Sequence, residues 1–529
     1  MGGINVKKWL PLSLISAGLL VACNNDSDSG TSESTDASPT SDQITEELRV
    51  GYPAQPESLD PYITTAVATR DITRHFYETL VTINEDFEVV PMLAESIEEI
   101  DDGETITFNL RQGVLFHNGK EMIAEDVVAS MERWKETTTQ GRSNLEHASF
   151  VEVDDYTVEL QLDEPSSIML NVLAEVVQIA AIMPKEIVDE ADGTGVTEFV
   201  GTGPFEFVDW QTDQHIHLQR FEDYVPSDEE SSGLAGHKEA LIDNLYFEFV
   251  TDSSTRIAGI QTGEYDVIVN VPLDNAEQLE AQPDVELVTA LGSLQTGIFN
   301  EEEGVFTDPL MRQAVNTAID NEAIMLGAYV SEEFFSLDAG IMFEDQVDWH
   351  SLAGEEHFFQ NDPERAQEML DEAGYDGEEV VILVARDYDS LYNTAIVLHQ
   401  QLEELGMNAV LEVTDWPTYL ELSEDPSNFD IAITSFSTRL IPHQYPTLSK
   451  RAAYVGWTKS EELDRLLDEI KEQPTQEEAF EVFEELQVQF YEDMPMLNIG
   501  KSSGLTGIRS NVVNYEDLIG PILWNTTIE

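Results

Sequence analysis

A single cysteine, Cys23, stands in 529 residues, so no internal disulfide can staple whatever this chain folds into. Burial alone must hold it together. Hydrophobic residues make up 41% of the sequence, enough for a large core. That core works against strong self-repulsion, because 105 acidic residues face 25 basic ones for a formal charge of −80.

The position of the cysteine says more. Lys7 and Lys8 precede an apolar run from Trp9 to Ala22 that is too short, with its charged flank, to span a bilayer. This is the pattern of an export signal. The run closes Leu20-Val21-Ala22-Cys23 and is similar to the lipobox of bacterial lipoproteins. Residues 1–22 are then expected as a signal peptide, and Cys23 as the lipid anchor to the membrane. From Asn24 to Thr45 the chain is mostly Ser, Thr, Asp and Asn, which predicts a solvated tether over 23–45 with an r.m.s. span of roughly 25 Å. No later stretch reaches 18 uninterrupted apolar residues.

Removing Lys7 and Lys8 leaves 23 basic residues against 105 acidic ones, a formal charge of −82. Such a surface excludes nucleic acid as a partner. The acids are spread through the chain, which suits high salt or high pH outside the cell, where salt screens the repulsion over a few ångströms. The expected location is the outer face of the cytoplasmic membrane, or its periplasmic face where an outer membrane exists. No Asp-x-Asp-x-Asp-Gly loop argues for calcium.

About 480 residues follow Glu46, more than one core usually serves, so at least two lobes are expected. Ile106–Leu110 and Thr157–Leu162 alternate as half-buried strands, and Glu125–Trp134 puts Val127, Val128, Met131 and Trp134 on one helical face. A helix is expected from Asp362-Pro363 to Gly374 by its start and stop signals. A strand at Val380–Ala385, a helix at Tyr392–Leu405 and a strand at Val410–Val413 suggest a parallel crossover. The class is α/β with some antiparallel sheet.

The sequence offers no catalytic constellation. Gly201-Thr202-Gly203-Pro204 lacks the Lys-Ser/Thr of a P-loop and the third glycine of a dinucleotide fingerprint, so it reads as a turn. His215 and His217 sit at strand spacing with no third ligand nearby, and no Gly-x-Ser-x-Gly elbow occurs. No cofactor, no metal and no enzymatic activity are expected.

Several ordered blocks carry a resemblance. Phe116-His117-Asn118-Gly119-Lys120 with Ala124-Glu125-Asp126-Val127-Val128-Ala129-Ser130 comes first, then Gly201-Thr202-Gly203-Pro204-Phe205 with Trp210. Asp308-Pro309, Arg312-Gln313-Ala314, Ala318-Ile319-Asp320 and Ala366 to Tyr375 follow. Together they resemble the large solute-binding proteins of the dipeptide, oligopeptide and nickel importers, extracellular family 5, over nearly the whole chain. The resemblance implies a two-lobed, periplasmic-binding-protein-like fold of type II with an extra subdomain, joined by a two-strand hinge. Lobe I is expected at 46–271 plus 501–529, with the inserted subdomain at about 61–199, and lobe II at 272–500. The crossings would fall near Asn270-Val271-Pro272 and Ile499-Gly500-Lys501. The implied function is an extracytoplasmic receptor, expected to be a monomer, that captures peptide-like small solutes and delivers them to ABC permease subunits. An oligosaccharide or other small-solute receptor, or a sensory ligand-presenting protein, is the alternative.

The resemblance also places candidate ligand contacts. Asp415-Trp416 is similar to a strand-end aromatic of the peptide-binding relatives. Ser435-Phe436-Ser437-Thr438-Arg439 stands where they carry a Gly-Trp-x-x-Asp-like segment, so Arg439 occupies the position of an ammonium-binding acid. Arg386 lies close to where dipeptide binders place a carboxylate-binding arginine, with Tyr388 and Tyr392 flanking it. Tyr62 and Asn270 are the candidates from the first lobe. The plain alternatives are core packing for Trp416 and Phe436, and ion pairs for Arg386 and Arg439, the latter with an acid such as Asp430.

Overall fold

The computed structural model describes residues 45–100 and 104–529. The expected signal peptide, Cys23 and the tether up to residue 44 lie outside the described residues. Among the described residues no helix is long and apolar enough to cross a membrane.

An eleven-stranded sheet runs through the molecule. At one end lie strands formed before residue 270: Phe205–Gln211, His215–Arg220, Ile242–Phe249, Thr45–Tyr52 and Val267–Ile268, in that spatial order. At the other end Ile431–Ser437, Glu379–Ala385 and Asn408–Thr414 follow one another. Two strands join the ends. Val285–Phe299 pairs antiparallel with Gly500–Arg509 through its first half and with Ile431–Ser437 through its second. Gly500–Arg509 in turn pairs with Val267–Ile268. The joining ladder shifts register between Leu291 and Leu294, a bulge where Ser502 Oγ accepts from Ser293 N–H at 3.0 Å. Asn270-Val271-Pro272 lies beside this ladder, Val271 N–H donating to the Leu505 carbonyl at 2.8 Å.

The expected crossover is present. Glu379–Ala385 and Asn408–Thr414 pair in parallel through helix Asp389–Glu404. Helix Pro363–Ala373 begins where Asp362 accepts from Arg365 N–H and stops at Gly374, whose φ of +83° is left-handed. The expected strands near 106–110 and 157–162 are Thr105–Leu110 and Thr157–Gln161, antiparallel neighbours in a separate four-stranded sheet with Ala94–Ile100 and Ser149–Asp154. Helix Ala124–Thr137 buries Val127, Met131 and Trp134 at successive turns, while Val128 packs half-buried on its flank. Each fully buried apolar side chain of this size contributes about 1.5–3 kcal/mol. Trp134 keeps its indole N–H satisfied on the Gln178 carbonyl at 2.7 Å.

The Gly201–Pro204 turn is a packing device. A Cβ on Gly201 would stand 2.0 Å from the Phe76 carbonyl oxygen, so only glycine lets the two backbones meet. His117 fastens the turn, accepting from Gly201 N–H at Nδ1 (3.1 Å) and bonding the Gly203 carbonyl through Nε2 (3.0 Å). His215 and His217 belong to the strand His215–Arg220, where His217 stacks on Tyr246 at 4.3 Å and bonds Asn244. Among the described residues no group of three or more His, Cys, Asp or Glu is placed to hold a metal.

Candidate functional site

Because Glu379–Ala385, Asn408–Thr414 and Ile431–Ser437 are parallel neighbours, their carboxyl ends open on one edge of the sheet. Loops leaving such ends are free to present side chains, which is where ligands bind in open α/β sheets. Six of the nine expected contacts are gathered there: Arg386, Tyr388, Trp416, Phe436, Ser437 and Arg439.

The first two loops lock together. Arg386 N–H donates to the Thr414 carbonyl at 2.9 Å, and Asp387 accepts from Trp416 N–H at 2.7 Å. Asp415 caps helix Trp416–Ser423 through Thr418 N–H, and its bonds to Thr418 hold its carboxyl below the usual range. The Trp416 ring stacks on Tyr419 (5.0 Å, 9°) and takes Tyr388 edge-on (5.2 Å, 86°). Tyr388 is 48% exposed, Trp416 is half-buried and Tyr419 buried, so the cluster opens to solvent at Tyr388. Tyr392 is half-buried one turn along the next helix. Arg386 is exposed.

The third loop is more constrained. Phe436 is buried, edge-on to Tyr445 at 5.5 Å, and Ser437 pairs with Ser293 beside the bulge. Thr438 Oγ1 donates to the Gly292 carbonyl, Gln346 Nε2 to the Arg439 carbonyl at 2.5 Å, and Leu440 N–H to Gln444 Oε1 at 2.7 Å. The backbone around Arg439 is thus fixed on three sides. Its guanidinium is not: among the described residues it makes no hydrogen bond or ion pair, and its buried Nε has no partner. Asp430 bonds Val381 N–H at 2.8 Å and not Arg439.

The charge of Arg439 reaches Glu175, which follows helix Met169–Leu173 and bonds Gln444 from the same loop as Arg439. Glu175 is buried, accepting from Val177 N–H (2.7 Å) and Gln444 Nε2 (2.6 Å). Burial raises its pKa, against the backbone bonds and the Arg439 charge. Glu175, Gln444 and Tyr419 were not among the expected residues. Glu175 is the single acid within the apolar run Val172–Ile182, and Tyr419 lies three residues past Trp416, so both left a trace in the sequence.

The remaining candidates stand elsewhere. Tyr62 is wholly buried, its hydroxyl bonded to the Ala181 carbonyl at 2.5 Å and its ring under Arg133, so it presents no surface to a ligand in this conformation. Asn270 is exposed at φ +57°, its carbonyl accepting from Arg256 at 3.0 Å.

Residues 88–452 match the family model described as bacterial extracellular solute-binding proteins, family 5 Middle. The chain is 27% identical to a probable peptide ABC transporter periplasmic-binding protein, y4tO, of Sinorhizobium fredii, over 88% of this chain and 90% of that protein. It is 26% identical to the oligopeptide-binding protein AppA of Bacillus subtilis, over 96% and 95%. The fold is similar to that of the PBP AgaA of A. tumefaciens R10, solved in complex with agropinic acid, with a TM-score of 0.74 and 25% identity, covering 91% of this chain and 99% of that one.

Proposed function

Since this chain belongs to the bacterial extracellular solute-binding proteins of family 5, we propose that it captures a peptide-like solute through an anionic group and delivers it to ABC permease subunits. The observation that carries the ligand class is the Arg439 guanidinium, without a hydrogen bond or ion pair among the described residues, carried on a backbone fixed just past the carboxyl end of strand Ile431–Ser437. In a chain of formal charge −80 a free anion is repelled at long range, so a bound carboxylate needs a local cation. Arginine's planar fork takes both carboxylate oxygens at once. The names of y4tO and AppA favour a peptide. The agropinic acid of AgaA favours a second reading, a small non-peptide acid, which the same arginine serves.

Capture would be binding without catalysis. A ligand touching both lobes stabilises the closed form and shifts the open–closed equilibrium by its differential affinity. The division into lobes at 46–271 plus 501–529 and 272–500 is retained for the second crossing. For the first, the bulge at Gly292-Ser293 is the better hinge, since the strand Val285–Phe299 passes there from one set of partners to the other. Anchoring through lipid on Cys23 and action as a monomer at the outer face of the cytoplasmic membrane complete the proposal.

Calorimetry with matched peptides tests it. A short peptide and its N-acetyl form should bind, while the C-terminal amide of the same peptide should not. Equal affinity for the acid and the amide would remove the anionic contact. Binding by agropinic acid, with no response to any peptide, would select the second reading.

A further inference from the structure

We propose that Glu175 and Gln444 form a clasp that closes the two lobes without ligand and tightens as the medium is acidified. The inference rests on the lobe closure described above and concerns the empty receptor.

Gln444 is tied at both ends of its amide. Oε1 accepts from Leu440 N–H at 2.7 Å, inside the loop that carries Arg439, and Nε2 donates to Glu175 at 2.6 Å across the lobes. Both side chains are buried, so water competes poorly for the bond. A second contact supports it on the same side: Ser167 donates through Oγ to the Ile470 carbonyl (2.7 Å) and through N–H to the Lys471 carbonyl (3.0 Å). The two segments therefore meet in direct hydrogen bonds between their own atoms.

The acid dependence follows from what surrounds Glu175. The charge of Arg439 reaches it from the second lobe, and the N–H groups of Val176, Val177 and Gln178 face it from its own segment. The small cavity behind it is lined by Arg74, Glu78 and Lys238. Removal from water on closure still outweighs these groups and raises the carboxyl pKa. An opened cleft returns it to water and toward the ordinary value. The closed form then holds more protons, and the closed-to-open ratio rises as pH falls through the raised value toward the ordinary carboxylate range. One proton taken up gives at most about tenfold per pH unit. Gln444 can still donate to the carbonyl oxygen of a protonated Glu175, so the bond survives the titration.

Single-molecule energy transfer on the full domain tests the clasp. Cys23→Ser removes the native thiol, and Val208→Cys on the edge strand Phe205–Gln211 with Ile396→Cys on helix Asp389–Glu404, both exposed positions, take the dyes. In the absence of ligand the closed fraction should rise severalfold from pH 7.5 to 5. Glu175→Gln, an uncharged isostere, should hold the high closed fraction at every pH. Gln444→Ala should lower it at every pH. Wild-type behaviour retained by Glu175→Gln, or a closed fraction unmoved by Gln444→Ala, would overturn the clasp alone. If neither pH nor a saturating mixture of short peptides changes the distance in any variant, lobe closure itself fails, and the clasp with it.

Discussion

His117 Nε2 lies 3.0 Å from the carbonyl oxygen of Gly203. Because Nδ1 accepts from Gly201 N–H, the ring proton sits on Nε2 and donates to that carbonyl. Burial lowers the imidazole pKa to about 4. Its folded value lies below the unfolded one near 6.5, so the unfolded chain binds more protons between them. Stability supplied by the neutral ring is present above about pH 6.5 and is lost as pH falls toward 4. His117→Phe keeps the edge-on contact with Phe221 but orphans both turn groups. We expect a loss of about 1–3 kcal/mol in urea unfolding at pH 7.5. The acid slope between pH 6.5 and 4 should also flatten. An unchanged urea midpoint would show the bonds to be dispensable.

How much of this was legible in the sequence depends on the reach of each interaction. The helix Pro363–Ala373 and the crossover Glu379–Thr414 were visible because caps and periodicity act within a few residues. The conjunction of Phe116–Lys120 with Gly201–Phe205 was visible as two blocks, but not as one joint, since His117 and Gly201 are 84 residues apart. The strand-end cluster from Arg386 to Arg439 followed from resemblance. The burial of Tyr62 was not legible, because a tyrosine after Leu59-Asp60-Pro61 reads the same whether its hydroxyl faces solvent or the Ala181 carbonyl. Glu175 was missed because its partner, Gln444, lies 269 residues away.

The start of strand Gly500–Arg509 is held by a charge pair between the buried Lys501 and the half-buried Asp338. Lys501 Nζ lies 2.7 and 2.8 Å from the two oxygens of Asp338, and His350 approaches the same carboxylate at 3.4 Å. Burial pushes the Asp338 carboxyl up, but His350 and Lys501 outweigh it and leave its pKa below the ordinary value. Its contribution is present above the unfolded pKa and lost as pH falls through the folded one. Lys501→Met should cost about 3 kcal/mol at neutral pH, because it strands the acid. The added substitution Asp338→Leu should return part of that loss. Scanning calorimetry of the two variants decides it, and equal melting temperatures for wild type and Lys501→Met would count against the pair.

Stability should rise with sodium chloride into the molar range, because the acidic chain repels itself more when compact than when expanded. A melting temperature that stays flat or falls with added salt would remove this expectation.

For Cys23 the expected outcome is cellular. Cys23→Ser should release the protein from washed membranes into the surrounding fluid, since the lipobox-like Leu20-Val21-Ala22-Cys23 then offers no thiol to acylate. Retention of the variant with the membrane fraction would argue for another anchor.

The last expectation concerns Arg439, whose two possible roles differ in what substitution removes. A structural arginine bonded to a neighbouring acid would lose that bond on truncation and destabilise the empty protein. Arg439 has no such bond among the described residues: Asp430 is engaged with Val381, and the Gln346 contact is to the Arg439 carbonyl, which alanine retains. Arg439→Ala should therefore move the unliganded melting temperature far less than it moves affinity, the part that remains being the loss of its charge near the buried Glu175. Affinity for a ligand carboxylate should fall by roughly 2–5 kcal/mol, the cost of stripping one partner from a buried hydrogen-bonded charge pair. Arg439→Lys keeps the charge but not the planar fork, so its affinity should lie between the two. Isothermal titration with the tightest-binding acid, run beside melting of the empty variants, separates the roles. Unchanged affinity, or an empty protein destabilised as much as binding is weakened, would make Arg439 a scaffold residue and send the anion to another cation at the same edge, Arg386.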